Sequence, residues 1–346
     1  MNRLTGALGL LGLTALTSPA LAAPWMPDHI VVVEEENRDF NQFIGVSNAP
    51  FINNVLVPEG AVLTSSYGIG HPSEPNYLQL FSGSPQGTQG SDGPVPGSLA
   101  PPGAPSTGTG IEAPNLGASM VAAGKSFAGY SENLNAASDP LAYGSPGSLY
   151  ARKHNPWSDF IPAGTPTGNQ LPASVNKDFS AFPKNFGNLP TLSFVIPNQC
   201  NDAHGTSACP DAIANIGTAD SWLRDNIGGY TKWALQNNSL LIVTTDEGNT
   251  TVSGSGTTAL TQVATLLVGQ DIKPGNYNTP IDEYGLCNFI ASSQNASAPA
   301  ACGLLPAPTA GSALAAAVET TPVPEPASLA LLASGLLGLG LIRRRA

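Results

Sequence analysis

Apolar residues concentrate in four short continuous runs at residues 29–33, 192–196, 240–244 and 264–268. These runs are rich in Val, Ile and Leu and are short, a pattern typical of buried strands. The stretches between them include segments with helical spacing, so strands and helices alternate along the chain. This pattern predicts an α/β fold with a mostly parallel central sheet and helices on both faces.

Two of the predicted helices lie at residues 219–235 and 120–126. In residues 219–235 large apolar residues recur at helical spacing, and Gly228-Gly229 weakens the middle of the segment. Residues 120–126 predict a helix that leads into a glycine turn. By contrast, residues 84–117 are dense in Pro, Gly, Ser and Thr and predict a long irregular excursion from the same domain.

Acidic residues follow three of the four predicted strands. Glu36 comes shortly after the first strand, Asp202 follows the second, and Asp246-Glu247 follow the third. The carboxyl ends of parallel strands meet at one edge of a sheet, where ligands bind. One acidic turn is usually a solvated loop, but three acidic groups at one edge would repel one another unless a cation lay between them. The sequence therefore predicts a metal site at this edge.

A serine lies in a proline-rich turn at residues 70–77, Gly-His-Pro-Ser-Glu-Pro-Asn-Tyr. Pro72 and Pro75 restrict the backbone around Ser73, so we expect a stiff turn that leads into a helix at residues 78–81. A hydroxyl on such a turn can act as a nucleophile, with backbone N–H groups nearby to stabilise negative charge. A divalent cation would activate this hydroxyl for attack on phosphorus.

Two alternatives stay open for this serine. The first is an ordinary proline-rich loop without a chemical role. The second is a Ser-His-acid triad that attacks a carbonyl group. Three histidines lie in predicted loops where they could serve such a triad, namely His71, His154 and His204.

Both ends of the chain have the pattern of targeting segments. Residues 1–22 combine Arg3, an apolar run and an Ala-Leu-Ala ending, which predicts a secretory signal peptide. Residues 323–346 begin with Val-Pro-Glu-Pro, continue as an apolar stretch and end in three arginines before the last alanine. This tail resembles the PEP-CTERM sorting signal, which implies an exosortase as partner; a plain membrane anchor is the alternative. Between the two ends, residues 23–291 predict one domain and residues 292–322 a low-complexity linker.

The tail also sets the expected location. We expect the protein to be exported, to contact the membrane only through this segment, and then to remain on the cell surface or enter the medium. Without both ends the chain keeps 9 Lys and Arg against 23 Asp and Glu, a net charge of −14. This charge argues against a nucleic-acid partner.

The four cysteines are expected to form disulfides, which export permits. Three pairings are possible, and the short separations in sequence favour Cys200 with Cys209 and Cys287 with Cys302.

Five motifs occur in order between residues 30 and 290. They are Glu36-Asn37-Arg38, His71-Pro72-Ser73-x-Pro75-Asn76-Tyr77, Arg152-x-His154-Asn155-Pro156-Trp157, Pro197-Asn198-x-Cys200-Asn201-Asp202-x-His204 and Thr245-Asp246-Glu247-Gly248. Together they resemble the phosphoesterase family of the alkaline-phosphatase superfamily, which includes acid phosphatases and phospholipases C. The resemblance implies an alkaline-phosphatase-like α/β fold for residues 23–291 and hydrolysis of phosphoric esters.

The resemblance also implies roles for single residues. Ser73 matches the nucleophile that forms a phosphoserine, and Asn76 matches an amide that binds a phosphoryl oxygen. The positions that match metal ligands are Glu36, Asn37, Ser73, Asp246 and Glu247, and a second acid and histidine cluster for another metal or the phosphate is Asp202 and His204. The resemblance places His154, as an acid for the leaving group, and Asn155 on the substrate side. Independently of the resemblance, the adjacent basic pair Arg152-Lys153 predicts a cationic wall for an anion, with a surface loop as the alternative.

One position departs from the family pattern. Family members usually carry His-Tyr-Ser near the end of the domain, where this chain has Glu283-Tyr284-Gly285. Glu283 is kept as a further candidate ligand, and a carboxylate there would favour Mg, Mn or Ca over Zn. The same departure is compatible with a loss of activity.

The sequence therefore predicts an exported, metal-dependent phosphoric-ester hydrolase of the acid-phosphatase type. It would act on small phosphate esters and hold one or two divalent ions, Mg, Mn, Ca or Zn, per chain. A phospholipase C or phosphodiesterase is the alternative among enzymes. A catalytically inactive cell-surface or matrix protein on the same fold is the alternative of another class.

Overall fold

The structure is a computed structural model of the chain. It describes residues 25–88, 90–93, 95–98, 109–136, 149–210, 212–249 and 261–299, together with residues 302 and 317. The predicted signal peptide, the sorting tail and most of the predicted linker lie outside these residues. The described residues belong to one compact unit. Among them, no helix has the length and apolar character that crossing a membrane requires.

Eleven strands occur in the described part of the chain. They are β1 (His29–Glu35), β2 (Ala61–Leu63), β3 (Ser66–Gly68), β4 (Phe127–Ser131), β5 (Asn176–Asp178), β6 (Leu192–Ile196), β7 (Ser239–Thr245), β8 (Thr261–Val263), β9 (Thr265–Gly269), β10 (Gly275–Tyr277) and β11 (Ile281–Asp282). Eight form the main sheet in the order β10-β2-β9-β7-β1-β6-β4-β5, and β11, β3 and β8 form a small second sheet. In the main sheet β9 is antiparallel to β7 and β2, and the other neighbouring pairs are parallel. The prediction of a mostly parallel central sheet is confirmed.

Helices cover both faces of this sheet, as predicted. The α-helices of the described residues are α1 (Phe40–Phe43), α2 (Val57–Glu59), α3 (Ser73–Ser82), α4 (Leu116–Ala122), α5 (Ala212–Asn226), α6 (Gly228–Ala234) and α7 (Glu283–Ser292). The described residues also form helices of other types. These are a π-helix at Ile52–Leu56 and 3₁₀ helices at Leu134–Ala136, Arg152–His154, Pro156–Phe160, Ala173–Val175, Phe179–Ala181 and Phe186–Asn188. Because side chains alternate along β1, Ile30 and Val32 share a core with α3, α4 and α7, while Val31 and Val33 share one with α5 and α6.

The register of β1 and β7 brings their ends to one edge of the sheet. Glu35 lies beside Thr245 at the last paired position of the two strands. Backbone hydrogen bonds continue this alignment into the following loops, since the N–H of Asp246 donates to the carbonyl of Glu35 (3.1 Å). The N–H of Glu36 donates to the carbonyl of Asp202 (2.7 Å). Glu36, Asp202 and Asp246, which follow three different strands, therefore lie at the same edge of the sheet, as their positions in the sequence predict.

Helix α3 begins earlier than its sequence predicts. Its first residue is Ser73, so the serine lies on the helix and not on a turn before it. Pro75 lies in the first helical turn, where backbone N–H groups have no partner within the helix. The proline is therefore tolerated there, and the expectation that it would delay the helix is wrong.

Strand β4 is absent from the predicted elements. The predicted helix at residues 120–126 corresponds to α4, which ends at Ala122 and is followed by a turn at Gly124 with a φ of +73°. Strand β4 then begins at Phe127. The apolar pattern does not predict this strand because Gly129 interrupts it. Elsewhere the break between α5 and α6 is at Ile227, directly before the predicted glycine pair, which begins α6.

The described residues of 84–115 contain neither helix nor strand, whereas residues 116 and 117 of the predicted excursion already belong to α4.

The structure contains the disulfides Cys200–Cys209 and Cys287–Cys302, the pairing that the short separations favour. The side chain of Cys302 is buried beside α7. Gln294, just beyond α7, donates from Nε2 to the carbonyl of Pro27 (2.6 Å). These described residues of the predicted linker therefore pack against the domain.

Candidate active site

Ser73 lies at the sheet edge where the acidic strand ends meet. Its buried Oγ lies 3.0 Å from Oε2 of Glu36, 3.3 Å from Oδ1 of Asn37 and 3.4 Å from Oε1 of Glu247. Glu36 and Asn37 directly follow β1, and Glu247 follows β7. The structure thus brings together four residues that the sequence predicts at one site, with carboxylate and amide oxygen atoms around the hydroxyl.

The loop after β1 connects this group to Asp246. Asn37 has a left-handed backbone with a φ of +43°, a conformation that Asn adopts more readily than most residues. Its N–H donates to Oδ1 of Asp246 (3.1 Å). The other oxygen of Asp246, Oδ2, is buried and accepts no hydrogen bond. One buried carboxylate oxygen of the residue that contacts Asn37 is therefore available to another ligand.

Glu247 connects the site to the turn before α3. Its Oε2 lies 2.8 Å from Nδ1 of His71 and accepts a hydrogen bond from Nδ2 of Asn76 (3.2 Å). Burial and the nearby Glu36 raise the pKa of Glu247 to about 7, although His71 acts against this shift. His71 is 42% exposed. The turn directly before Ser73 therefore carries an imidazole that is open to solvent.

His154 contacts Glu36 from within the protein. Its Nε2 lies 3.0 Å from Oε1 of Glu36, and its Nδ1 lies 3.7 Å from Oδ2 of Asp202. The ring stacks on Tyr77 with centroids 5.0 Å apart, and the ring of His204 lies 6.4 Å away. Burial lowers the pKa of His154 although Glu36 opposes this. A buried imidazole in this position holds the carboxylate of Glu36.

The loop after β6 keeps Asp202 buried. Its Oδ1 accepts the backbone N–H of His204 (2.8 Å), and the intervening Ala203 has a left-handed backbone with a φ of +74°. Burial, followed by the nearby Glu36, raises the pKa of Asp202 well above its usual value. Its Oδ2 has no hydrogen-bond partner. Asp202 and His204 thus lie side by side, next to His154.

The buried carboxylates make this edge strongly acidic. Burial, and after it the charges of Glu36 and Glu247, raise the pKa of Asp246. Burial also acts to raise the pKa of Glu36. The neighbouring positive groups, His154 first and then Lys153 and His204, have the larger total effect and lower this pKa to about 2. Buried carboxylate oxygens without hydrogen bonds are unfavourable unless they are protonated or lie beside a cation. The edge is therefore a place where a bound cation would be stabilising.

The side chains fit a divalent cation by their chemistry. Carboxylate, amide and hydroxyl oxygens are the ligands that Mg²⁺, Mn²⁺ and Ca²⁺ prefer. Across the described residues, no three His, Cys, Asp or Glu side chains already stand in a metal-binding arrangement. The fit of this edge to a cation therefore rests on its buried carboxylate oxygens that have no hydrogen-bond partner, such as Oδ2 of Asp246. The residues that would hold the ion are Glu36, Asn37, Ser73, Asp246 and Glu247.

Arg152 and Asn155 are placed differently from the prediction. The guanidinium of Arg152 is buried, with Nη2 2.7 Å from Oδ1 of Asp159 and Nε donating to Oγ of Ser158 (3.0 Å). A buried guanidinium needs such a carboxylate, so Arg152 does not form the expected cationic wall. Asn155 is buried too, and its Nδ2 donates to the hydroxyl of Tyr150 and to Asn176 (3.0 Å each).

Asn76 is also engaged within the protein. Its Oδ1 accepts the backbone N–H groups of Ile69 and Gly70 (3.2 Å each). Its Nδ2 donates to the carbonyl of Gly70 (2.9 Å) and to Glu247. These bonds fix the turn that precedes Ser73. Binding of a phosphoryl oxygen by Asn76 stays a prediction, and it would require the amide to exchange one of these partners.

Glu283 begins helix α7 and is buried. Burial raises its pKa well above the usual value, and Asp282, Glu34 and Glu247 raise it further. Its Oε2 has no hydrogen-bond partner. The role of Glu283 as a ligand stays a prediction.

Two more charged residues belong to this edge: Glu34, which was not a predicted site residue, and Lys153, which the sequence predicts as part of a cationic wall with Arg152. Glu34 lies inside β1, and neither of its carboxylate oxygens has a hydrogen-bond partner. Side-chain alternation, which places Glu34 and Glu36 on the same face, is the signal that could have identified it. Lys153 forms an ion pair with Asp92.

Comparison with known proteins identifies the family of the chain. Residues 46–295 match the Phosphoesterase family, and residues 322–345 match the PEP-CTERM protein-sorting motif. The chain is 38% identical over 287 residues to a phosphatidylinositol-3-phosphatase of Mycobacterium tuberculosis, covering 82% of this chain and 81% of that protein. It is 28% identical over 244 residues to a phosphate-repressible acid phosphatase of Penicillium chrysogenum, covering 67% of this chain and 53% of that protein.

The fold is also similar to a solved structure, that of murine ectonucleotide pyrophosphatase/phosphodiesterase 5 as an inactive variant in complex with AMP. The TM-score is 0.50 at 12% identity, and the match covers 84% of this chain and 100% of that chain. At this identity the likeness concerns the fold alone. The family match over most of the described domain and the relative at 38% identity decide the assignment. The chain belongs to the Phosphoesterase family, has the α/β fold of the alkaline-phosphatase superfamily, and is a hydrolase of phosphoric esters.

Proposed function

We propose that the protein is a metal-dependent phosphomonoesterase that uses Ser73 as its nucleophile. The observation that carries this proposal is the position of Ser73 Oγ, 3.0 to 3.4 Å from oxygen atoms of Glu36, Asn37 and Glu247. A divalent cation bound by these oxygens would lower the pKa of the hydroxyl and stabilise negative charge at phosphorus. These oxygen neighbours suit a metal-assisted reaction better than the Ser-His pair of a carbonyl hydrolase.

The chain's own groups account for the transfer of the phosphoryl group. Oγ of Ser73 forms a bond to phosphorus as the bond to the leaving ester oxygen breaks, which gives a phosphoserine. The hydroxyl proton would leave to solvent, because a divalent cation held by Glu36, Asn37 and Glu247 would lower the pKa of Oγ. Water then attacks the phosphoserine, inorganic phosphate leaves, and Ser73 Oγ regains a proton.

The leaving oxygen needs a proton as it departs. His154 is the residue expected from the sequence, but it is buried against Glu36, so its position supports a role in orienting that carboxylate. His71 is half-exposed and lies 2.8 Å from Glu247. His71 is therefore better placed to donate a proton to a leaving group that faces solvent.

A phosphomonoester is the substrate class that the comparisons favour. The relative that matches 82% of this chain is named as a phosphatidylinositol-3-phosphatase, and that name describes removal of a phosphate from a lipid head group. The fungal relative is named as an acid phosphatase. A small monoester or a monoester on a lipid head group is thus favoured over the diester cleavage of a phospholipase C.

The sorting motif supports an activity outside the cytoplasm. The match at residues 322–345 supports export and processing of the tail by an exosortase. The domain would then act on the cell surface or in the medium, where its two disulfides are stable.

The test is hydrolysis of an aryl phosphate by purified protein, with a chelator and then with Mg²⁺, Mn²⁺, Ca²⁺ or Zn²⁺ restored. We expect turnover that depends on the added metal and that Ser73→Ala reduces by at least about 10³-fold in kcat. Trapping with a ³²P-labelled substrate should label the wild type and not the Ser73→Ala variant.

Ser82→Ala is the matched control. Ser82 lies on the same helix and donates its hydroxyl to backbone carbonyls of Leu78 and Ser84, away from the cluster around Ser73. Its substitution should leave turnover close to that of the wild type. A folded wild type without turnover under any metal, on a monoester or a bis-aryl diester, would favour the inactive surface protein. Turnover retained in Ser73→Ala would exclude the serine mechanism.

A further inference from the structure

Lys153 and Asp92 form an ion pair beside the nucleophile. Nζ of Lys153 lies 2.7 Å from Oδ2 of Asp92, and the two side chains are 19% and 30% exposed. The other oxygen of Asp92, Oδ1, accepts the backbone N–H of Glu74 (3.0 Å). Glu74 directly follows Ser73 in α3, a helix of 10 residues. The carboxylate of Asp92 thus bridges a lysine and the amide next to the nucleophile.

The charge of Lys153 reaches the site. Burial lowers its pKa, but Glu36, Asp92 and Asp246 outweigh this and raise it. Lys153 in turn helps to lower the pKa of Glu36, and its neighbour His154 lies 3.0 Å from that carboxylate. Lys153 is therefore held close to the carboxylates that surround Ser73, while the guanidinium of Arg152 is used in an internal ion pair.

Phosphate monoesters carry two negative charges, and this edge is lined by buried carboxylates. An entering phosphoryl group needs positive groups that can turn toward it. The lysine stem is flexible and its ammonium is in partial contact with solvent, so it can exchange one anionic partner for another. The amide of Glu74 is close to any phosphoryl group bonded to Ser73, because the two residues are adjacent. Asp92 occupies both of these positive groups.

We propose that Lys153 binds the phosphoryl oxygens of the substrate and that Asp92 is an internal anion that competes with the substrate for Lys153. This inference rests on the proposed phosphatase function. It assigns Lys153 as a residue that determines substrate specificity and Asp92 as the anion that competes with the substrate. Asp92, from the described residues 90–93 of the predicted excursion, then has a function at the rim of the site. Lys153 would select for the dianionic phosphoryl group of a monoester over the single charge of a diester.

The two partners of the ion pair should have opposite effects on substrate binding. Lys153→Met removes the cation, so KM for an aryl phosphate and Ki for inorganic phosphate should both rise by about tenfold or more. Asp92→Asn keeps an acceptor for the Glu74 amide but removes the competing charge, so both constants should fall by about two- to threefold. Lys153→Arg should retain most of the affinity, because it preserves the positive charge.

A purely structural role of the ion pair predicts a different pattern. If the pair only fixed the excursion to α3, both substitutions would lower Tm and would raise KM together, or leave KM unchanged. Either result would overturn the proposal. Lys184→Met is the matched control, because Lys184 is an exposed lysine on the segment beside Phe186. It should leave KM and Ki unchanged.

Direct binding separates this inference from the proposed function. If the wild type hydrolyses no phosphomonoester, the proposed function fails, and titration of inorganic phosphate by calorimetry still tests Lys153. Weaker phosphate binding by Lys153→Met and tighter binding by Asp92→Asn would support the inference. Equal affinity of the wild type and Lys153→Met for phosphate would overturn it whether or not the protein is active.

Discussion

Two carboxylates next to Ser73 have very different pKa values. Glu36 and Glu247 lie 3.0 and 3.4 Å from the hydroxyl oxygen. His154, Lys153 and other neighbours overcome burial and lower the pKa of Glu36 to about 2, whereas burial and Glu36 itself raise that of Glu247 to about 7. Such a separation lets one carboxylate remain charged while the other exchanges a proton. The contrast describes the metal-free protein, because a cation bound between the two residues would keep both carboxylates deprotonated.

The raised pKa of Glu247 predicts how stability depends on pH. Its folded-state pKa lies above its ordinary value, so the folded protein binds this proton more tightly than the unfolded chain does. The resulting stabilisation is complete below about pH 4.5 and is lost as the pH rises through about 7. We expect Tm of the metal-free protein to fall across this range, and to fall less steeply in Glu247→Gln.

Thermal unfolding from pH 4.5 to 8 in the presence of a chelator measures this effect. Saturating Mg²⁺ or Mn²⁺ should reduce the decline, because metal ligands must be deprotonated and binding stabilises the folded state. Identical pH dependence of the wild type and Glu247→Gln would contradict the prediction.

The sequence allows the carboxylates of the site to be predicted, but not every partner of the substrate. Strand ends locate Glu36 and Asp246 because register forces the residues after parallel strands together. Arg152 and Lys153 are adjacent on one 3₁₀ helix, and only their side-chain directions distinguish them. Those directions depend on Asp159 and Asp92, which belong to other segments. No local pattern contains that information.

At the scale of the elements, α3 and β4 show where local patterns are insufficient. A proline inside a helix is unfavourable because it removes a donor, but Pro75 lies in the first turn, where that donor has no partner in the helix. The helix can therefore begin at Ser73 and present its first amides beside the nucleophile. In β4, Gly129 breaks the apolar pattern, although the sheet needs a residue without a side chain there. The cause lies in Trp157, which is distant in sequence.

Gly129→Ala tests this packing. A Cβ atom at position 129 would lie 2.0 Å from Cε2 of the buried Trp157, and a ring of that size has no room to move away. Overpacking of this kind should lower the free energy of unfolding by about 3 kcal/mol. Urea denaturation measures the change. Gly164→Ala is the control, because a Cβ there meets no atom within 4 Å, so its midpoint should match the wild type. Equal midpoints for both variants would contradict the packing argument.

At the scale of the whole molecule, the charge and the disulfides suit an exported domain. Removal of the predicted targeting segments leaves a net charge of −14, which favours solubility but opposes compaction through repulsion. Two disulfides restrict the unfolded chain and offset part of that repulsion. One of them lies in the loop of Asp202 and His204, and the other joins α7 to Cys302. Their positions predict different consequences for function.

Removing the disulfides one at a time should therefore lower stability in both cases but lower activity in only one. Closing loops of 9 and 15 residues predicts a similar loss of about 3 kcal/mol for either pair of Cys→Ser substitutions. Cys200 lies two residues before Asp202, whose carbonyl accepts the N–H of Glu36. Loss of the 200–209 bond should thus lower kcat/KM by about tenfold below the unfolding temperature. Loss of the 287–302 bond should lower Tm with kcat/KM nearly unchanged. Equal effects of the two double substitutions on kcat/KM would show that the loop after β6 does not position Glu36.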